Sequence, residues 1–354
     1  MAPLSCVVLS ELQRRVQSAV LTAEEVADAV AALIAEDETV EVKADFLVEL
    51  ARRGESAEEI AAFARSLRAL SISPPVDDAT RGRGIIDVCG TGGDRQNTFN
   101  ISSTVALLVS SAGVPVAKHG NRAVTSKSGS ADVLEALGIP VDLTPEAAAA
   151  ALRDQDFAFF FAPRFHPAFR HLAPARKLCA ERGQRTIFNF LGPLLNPARP
   201  AAQLVGVSDP ARCVPVARVL QELGLVRAMV VCGQAGNGFL DEISSVGPTV
   251  VAEFHHRMAF SESRLDPADL PVRPARIEDL AGGDRDVNAR IVVDLLEGRE
   301  RGPKRDAVLL NAGAALFVAD RCRSITDGWD LAAELIDSGA AARKLEQLRR
   351  RAAG

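Results

Sequence analysis

At 354 residues, with 47% hydrophobic and 25% charged side chains, the chain is long enough to bury a full core and to form two domains. A net charge of −5 argues against a general nucleic-acid binder but leaves room for a local cationic site that takes a phosphorylated ligand. The six cysteines (Cys6, Cys89, Cys179, Cys213, Cys232, Cys322) are scattered without a Cys-x-x-Cys pair, which excludes the usual zinc and disulfide frameworks and suggests reduced thiols in a cytoplasmic protein.

The apolar patch at residues 7–9 runs into Glu11 and Arg14, so it is too short for a signal segment or a membrane span. Residues 1 to about 73 read as several short helices. Thr22-x-x-Glu25 and Ser56-x-x-Glu59 have the form of capping boxes, and Gly54 is a natural stop before the second. Pro74 and Pro75 then break the pattern, because neither continues a helix. The expectation is a small N-terminal α-helical domain over residues 1–75, joined in space by helices from about 165–190.

From residue 76 to 354 a large α/β domain is expected, with a mainly parallel sheet flanked by helices. Strands are predicted at residues 85–89, 114–117, 157–161, 203–207 and 228–232. Helices are predicted near 102–111, 131–137, 145–154 and 210–223, with Thr144-Pro145-Glu146 as a start signal. Residues 164–185 form a basic, helical interruption, and helices return from about residue 286.

The first strand leads into Gly90-Thr91-Gly92-Gly93-Asp94, and a helix begins after Asn100. Glycines let backbone N–H groups approach an anion closely, and the helix start adds free donors and a positive dipole end. Ser102 and Ser103 add hydroxyls. No Gly-Lys-Ser/Thr follows, so this is not a Walker A loop, and Arg95 stands where a dinucleotide fingerprint needs its third glycine.

A second polar run, Lys118-His119-Gly120-Asn121-Arg122 through Ser130 and Asp132, follows the next strand, with Ser130 placed to cap a helix that Gly138 ends. Its cations, imidazole, amide and hydroxyls suit a sugar phosphate. Asp241 and Glu242 follow the glycine-rich stretch 233–238, read as a loop, and offer adjacent hard oxygens of the kind Mg²⁺ takes beside substrate phosphate. His166, Arg170, His171, Arg176, Lys177, Arg182 and Arg185 make up the basic stretch, in which one or two cations could fork onto a carboxylate while the rest face solvent.

Taken in order, Gly90 to Asp94, Asn100-x-Ser102, Lys118 to Arg122, Gly129 to Asp132, His166-Pro, Arg185 to Pro193 and Asp241-Glu-Ile-Ser244 resemble the anthranilate phosphoribosyltransferases, from about residue 10 to 350. The resemblance implies a homodimer with the active site between a small helical and a large α/β domain. It implies a reaction of tryptophan synthesis in which the nitrogen of anthranilate attacks C1 of 5-phosphoribosyl-1-pyrophosphate and pyrophosphate leaves with Mg²⁺, two ions per active site. Mapped by motif, Gly90, Thr91, Gly92, Gly93, Asp94, Thr98, Asn100, Ser102, Ser103, Lys118 and Ser130 would hold the ribosyl donor. Gly90, His119, Asn121, His166, Arg176 and Gly192 would hold anthranilate, with Arg176 on its carboxylate. Ser102, Asp241 and Glu242 would hold metal. No side chain is assigned as acid or base, since a neutral aryl amine needs none. No nucleic acid or membrane is implied as a partner.

The chain departs from the family pattern at Ser103, where threonine is common, and in a short insertion around Cys179, Ala180 and Glu181. That insertion keeps Arg170 and Arg185 in contention for the carboxylate. Cys89 abuts the glycine loop without an evident role. The rival enzyme, a pyrimidine nucleoside phosphorylase, shares this fold and a similar second loop. It is disfavoured by the Asp241-Glu242 pair and the long glycine loop. A non-catalytic relative that binds nucleic acid would lose these motifs and gain positive charge.

Overall fold

The computed structural model describes residues 9–123, 127–256 and 259–350. Cys6, the patch at residues 7–8 and positions 124–126 of the second polar run lie outside them. The chain divides into two compact units, Met1–Ile72 with Phe165–Leu195, and Ser73–Arg164 with Asn196–Gly354.

The first unit opens with α1 (Leu9–Val16), α2 (Ala23–Ile34), α3 (Val40–Arg53) and α4 (Ala57–Ala69). Both expected capping boxes form, at Thr22 and Ser56, and α3 stops at Gly54 with φ of 88°. Glu59 does more than cap. Fully buried, it accepts from Ser56 N at 2.9 Å, Leu21 N at 2.8 Å and Arg53 Nη2 at 2.6 Å, tying the ends of three helical segments together. A carboxylate taken from water needs such partners.

In the second unit α5 (Asp78–Gly82) precedes β1 (Ile86–Gly90), α6 (Ile101–Ser111), β2 (Val116–Gly120), α7 (Ser130–Ala136), α8 (Pro145–Gln155) and β3 (Phe157–Phe161). The sheet begins β2 two residues later than the sequence suggests. Pro115 has no N–H to give the ladder, and its carbonyl accepts from Ile86 N at 2.9 Å instead. The helix α7 is capped differently from the expectation. Its N-cap is Gly129, Ser130 is already helical, and Asp132 accepts Gly129 N.

The basic interruption is α9 (Ala162–Phe165), a 3-10 turn at Pro167–His171 and α10 (Ala173–Glu181). After it come β4 (Ala202–Gly206), α11 (Cys213–Glu222), β5 (Arg227–Ala235), β6 (Gly238–Leu240), β7 (Thr249–His255) and β8 (Ala259–Leu265). The helices α12 (Arg285–Leu296), α13 (Pro303–Val318), α14 (Ile325–Asp337) and α15 (Ala340–Arg350) complete the described chain.

The strand order is β3-β2-β1-β4-β5-β7-β8, with β6 paired to β5. The first five run parallel; β7, β8 and β6 are antiparallel additions. Stretch 233–238 is therefore not a loop as expected: Gly233, Gln234 and Ala235 pair with Leu240, Phe239 and Gly238 in a hairpin. Val105, Leu108, Val88, Leu204 and most of α13 fill the core. Each such large side chain contributes about 1.5–3 kcal/mol when fully buried.

From β1 the chain winds outward through β2 to β3, then returns to the other side of β1 with β4. The reversal leaves a crevice at the carboxyl ends of β1 and β4, where open α/β sheets bind ligands. Gly90 and Gly206, the last residues of those strands, are direct partners there.

Candidate active site

The two glycines leave space for one residue. A Cβ on Gly90 would run into the Asp241 carboxylate, and a Cβ on Gly206 into the Asp241 backbone carbonyl. Thr91 N donates to Gly206 O at 2.9 Å, and Gly92 N donates to Asp241 Oδ2 at 2.6 Å. Gly92 and Gly93 then turn through positive φ, 72° and 81°, a left-handed backbone that glycine adopts without strain. Asp94 accepts from Gln96 N at 3.2 Å, and Thr98 forms a bridge to Ala281.

Asn100 occupies the N-cap of α6 but makes no side-chain cap bond. The free donor of Ser102 reaches Glu242 Oε1 at 3.0 Å, so a carboxylate sits where the helix end favours negative charge. Ser103 is 1% exposed, whereas Ser102 is half-buried.

Lys118 on β2 is buried and its Nζ donates to Val88 O at 2.7 Å and Ser102 Oγ at 3.4 Å. Burial lowers its pKa, while Asp87, Cys89, Glu242 and Asp241 pull the other way. Burial also raises both Asp241 and Glu242. Asp94 adds to the first shift and Asp241 to the second, against the opposing pull of Lys118 on Glu242. Among the described residues, no three His, Cys, Asp or Glu side chains converge as a complete cation cage. The donors present are instead adjacent hard carboxylates crowded with Asp94, a set that a divalent cation would relieve and that leaves coordination places for phosphate oxygens.

In the second run, Asn121 O accepts from Ser130 Oγ at 3.3 Å and from Ala131 N at 3.2 Å, closing the loop onto α7. Arg122 is not a free cation for phosphate. It forks onto Glu135 at 2.6 and 2.7 Å, pairs with Asp132 and lies 5.6 Å from the centre of the Phe161 ring.

Sequence reasoning missed the floor of this site. Asp87, wholly buried, accepts from His119 N at 3.3 Å, Asn196 Nδ2 at 2.9 Å and Gln203 Nε2 at 3.4 Å, and Cys89 also hydrogen-bonds to it. Burial and the Asp87 charge push the Cys89 thiol up, which makes it a packed, unreactive thiol. Asn311 on α13 brackets the residue after the acidic pair. Its Oδ1 accepts from Ile243 N and its Nδ2 donates to Ile243 O, both at 2.9 Å. The available signal was a polar residue inside an apolar run, as in Ile86-Asp87-Val88 and Leu310-Asn311-Ala312.

The remaining expected residues belong to the first unit. His166 is 3% exposed and stacks on Phe169 with ring centres 5.1 Å apart. Burial, opposed by a hydrogen bond to the Leu195 backbone, lowers its pKa to about 4, so the imidazole is neutral at pH 7. Arg176 is exposed on α10, 5.5 Å from the centre of the Phe188 ring. Lys177 pairs with Glu181, Arg182 with Asp45, and Arg170 donates to His171; Arg176 and Arg185 make no ion pair among the described residues. Gly192 is exposed and begins the turn Gly192–Leu195.

The family described as "Glycosyl transferase family, a/b domain" matches residues 82–342. Anthranilate phosphoribosyltransferase of Thermomicrobium roseum is 47% identical over 342 residues, covering 96% of this chain and 95% of that protein. The Symbiobacterium thermophilum enzyme of the same name is 48% identical over 310 residues, 86% of each chain. The chain belongs to the anthranilate phosphoribosyltransferase family.

Solved members of the anthranilate phosphoribosyltransferase family share its fold. The Thermus thermophilus structure superposes with a TM-score of 0.87 at 39% identity, covering 97% of this chain and 99% of that one. The Saccharomyces cerevisiae enzyme, solved in complex with PRPP and Mg, gives 0.86 at 26% identity and 99% coverage of both. The nucleoside phosphorylase reading is thereby set aside.

Proposed function

We infer that the chain transfers the phosphoribosyl group of 5-phosphoribosyl-1-pyrophosphate to the amine of anthranilate, giving N-(5-phosphoribosyl)anthranilate and pyrophosphate. The observation that carries this is the near full-length match to enzymes of that name, at 47% identity over 96% of the chain. The crevice between β1 and β4 supports the donor half with its glycine loop, a helix start and two carboxylates.

Gly90, Thr91, Gly92, Gly93 and Asp94 would line the pyrophosphate, with Thr98, Asn100, Ser102, Ser103, Lys118 and Ser130 contacting the rest of the donor. Asp241, Glu242 and Ser102 would hold Mg²⁺, which when bound would supply positive charge to the pyrophosphate leaving group. His119, Asn121, His166, Gly192 and Gly90 would frame anthranilate, and Arg176 would fork onto its carboxylate, a role supported by its exposure and by its making no ion pair among the described residues. The nitrogen forms its bond to C1 as the C1–O bond to pyrophosphate breaks, and the extra proton on nitrogen passes to solvent. The protein contributes position and electrostatics. Neutral His166 keeps positive charge away from the attacking amine. We also propose a homodimer, supported by apolar side chains left exposed on the first unit: Val20 (52%), Leu70 (41%) and Ile72 (40%).

Anthranilate fluorescence should disappear only when both the ribosyl pyrophosphate and Mg²⁺ are supplied. Loss with inorganic phosphate or a nucleoside in place of the donor, or no loss at all, would overturn the reading.

A further inference from the structure

We propose that Asn288 on α12, 188 residues from its partner in sequence, is a positioning residue that sets which way the Asn100 amide faces. The inference rests on the donor site placed above and adds a residue to it.

Asn288 is 2% exposed. Its Oδ1 accepts from Gly283 N at 2.8 Å, and its Nδ2 donates to Asn100 Oδ1 at 2.9 Å. Asn100 Nδ2 in turn donates to Ser128 O at 3.2 Å. This relay begins on a backbone N–H, which can only donate, and ends on a backbone carbonyl, which can only accept. Neither amide can flip without setting donor against donor or acceptor against acceptor, so the orientation of both is fixed by main-chain groups at the two ends.

The strap that carries Asn288 is itself held in place. Leu280 O accepts from Phe99 N at 3.1 Å, and Gly282 N donates to Asn97 O at 2.9 Å. A Cβ on Gly282 would lie 2.7 Å from both Asn288 Oδ1 and the Phe99 Cα, so helix start and loop are in close contact. Through Asn100 the relay joins the loop after β1 to the one after β2. An amide nitrogen has two hydrogens, and Ser128 takes one. The other stays a donor on the loop that we assign to the ribosyl pyrophosphate.

The test is a double-mutant cycle with Asn100→Ala, read both as donor affinity by titration calorimetry with Mg²⁺ and as steady-state constants. Asn288→Asp keeps an acceptor for Gly283 but turns the donor to Asn100 into a second acceptor. Asn288→Ser introduces no buried charge and is too short to reach Asn100, which covers the case in which the aspartate variant fails to fold. Either variant should weaken donor binding and raise its KM about tenfold, the scale of one buried hydrogen bond, with KM for anthranilate within about twofold. Added to Asn100→Ala, it should cost nothing further. Losses that multiply across the cycle, equal rises in both KM values, or unchanged donor affinity would overturn the proposal. Because calorimetry does not need turnover, an inactive wild-type chain would count against the acceptor assignment while the cycle still decides the role of Asn288.

Discussion

The crevice at β1 and β4 and the segment around α10 hold their chemical groups by opposite means. In the crevice nearly every contact runs through the backbone or a buried side chain: Gly92 N on Asp241, Ser102 N on Glu242, Lys118 Nζ on Val88 O. Around α10, Arg176 stands exposed against a single ring, Gly192 is exposed as well, and of these three expected ligands of anthranilate His166 alone is buried. A backbone-built site tolerates almost no change in shape, whereas a side chain on a helix surface can be removed with its surroundings intact. The first arrangement suits a leaving group whose charge must be met at fixed points. The second suits a planar carboxylate that one guanidinium can fork.

Four variants grade that contrast. The largest effect is expected from Gly206→Ala, because its methyl must displace the Asp241 backbone rather than a flexible chain end. A displacement of that kind should lower kcat/KM by at least about 100-fold. A Gly206→Ala protein with wild-type turnover would show that the crevice is softer than its contacts imply. Next, Asp241→Asn with Glu242→Gln should cost several kcal/mol of transition-state stabilisation and abolish the response to added Mg²⁺, as followed in a metal titration of the rate. An unchanged Mg²⁺ dependence would remove the metal assignment.

On the α10 side, Arg176→Ala should raise KM for anthranilate about 10- to 100-fold, the worth of hydrogen bonds to a charged group, and leave KM for the donor alone. If the anthranilate constant does not move, Arg170 or Arg185 carries the carboxylate. The smallest effect on rate, and a clear one on stability, belongs to His166. Its folded pKa of about 4 lies below the unfolded value of about 6.5, so the unfolded chain binds the extra proton first. Stability should therefore be full above pH 6.5 and fall as pH drops toward 4, by up to about 3 kcal/mol. Thermal unfolding of His166→Gln should show a shallower loss over that window; parallel curves would mean that His166 is not the group responsible.

The parallel half of the sheet was legible because its strands are short, mostly apolar runs between turn signals, most plainly Phe157–Phe161. The antiparallel half was not. Glycines at 233, 236 and 238 imitate a loop, and β8 exposes most of its residues, so it carries no buried run to detect. Within the site, glycines, hydroxyls and adjacent acids announce themselves locally by their chemistry. Asn288 and Asn311 do not, since their function depends on partners far away in sequence. Arg122 shows the reverse error: beside Lys118 it looks like a phosphate ligand, but Glu135 on α7 takes its charge.

The meeting of Gly90, Gly206 and Asp241 also orders the life of the chain in time. As synthesis proceeds from the N-terminus, β1 is made early, yet its closing residue arrives about 150 positions later, and Asn288 later still. A nascent chain that has emerged only as far as β5 holds the parallel strands of the fold with an open glycine edge and no place for a nucleotide-like ligand. Such long-range closure is slow to form, and it places completion of the site late in assembly.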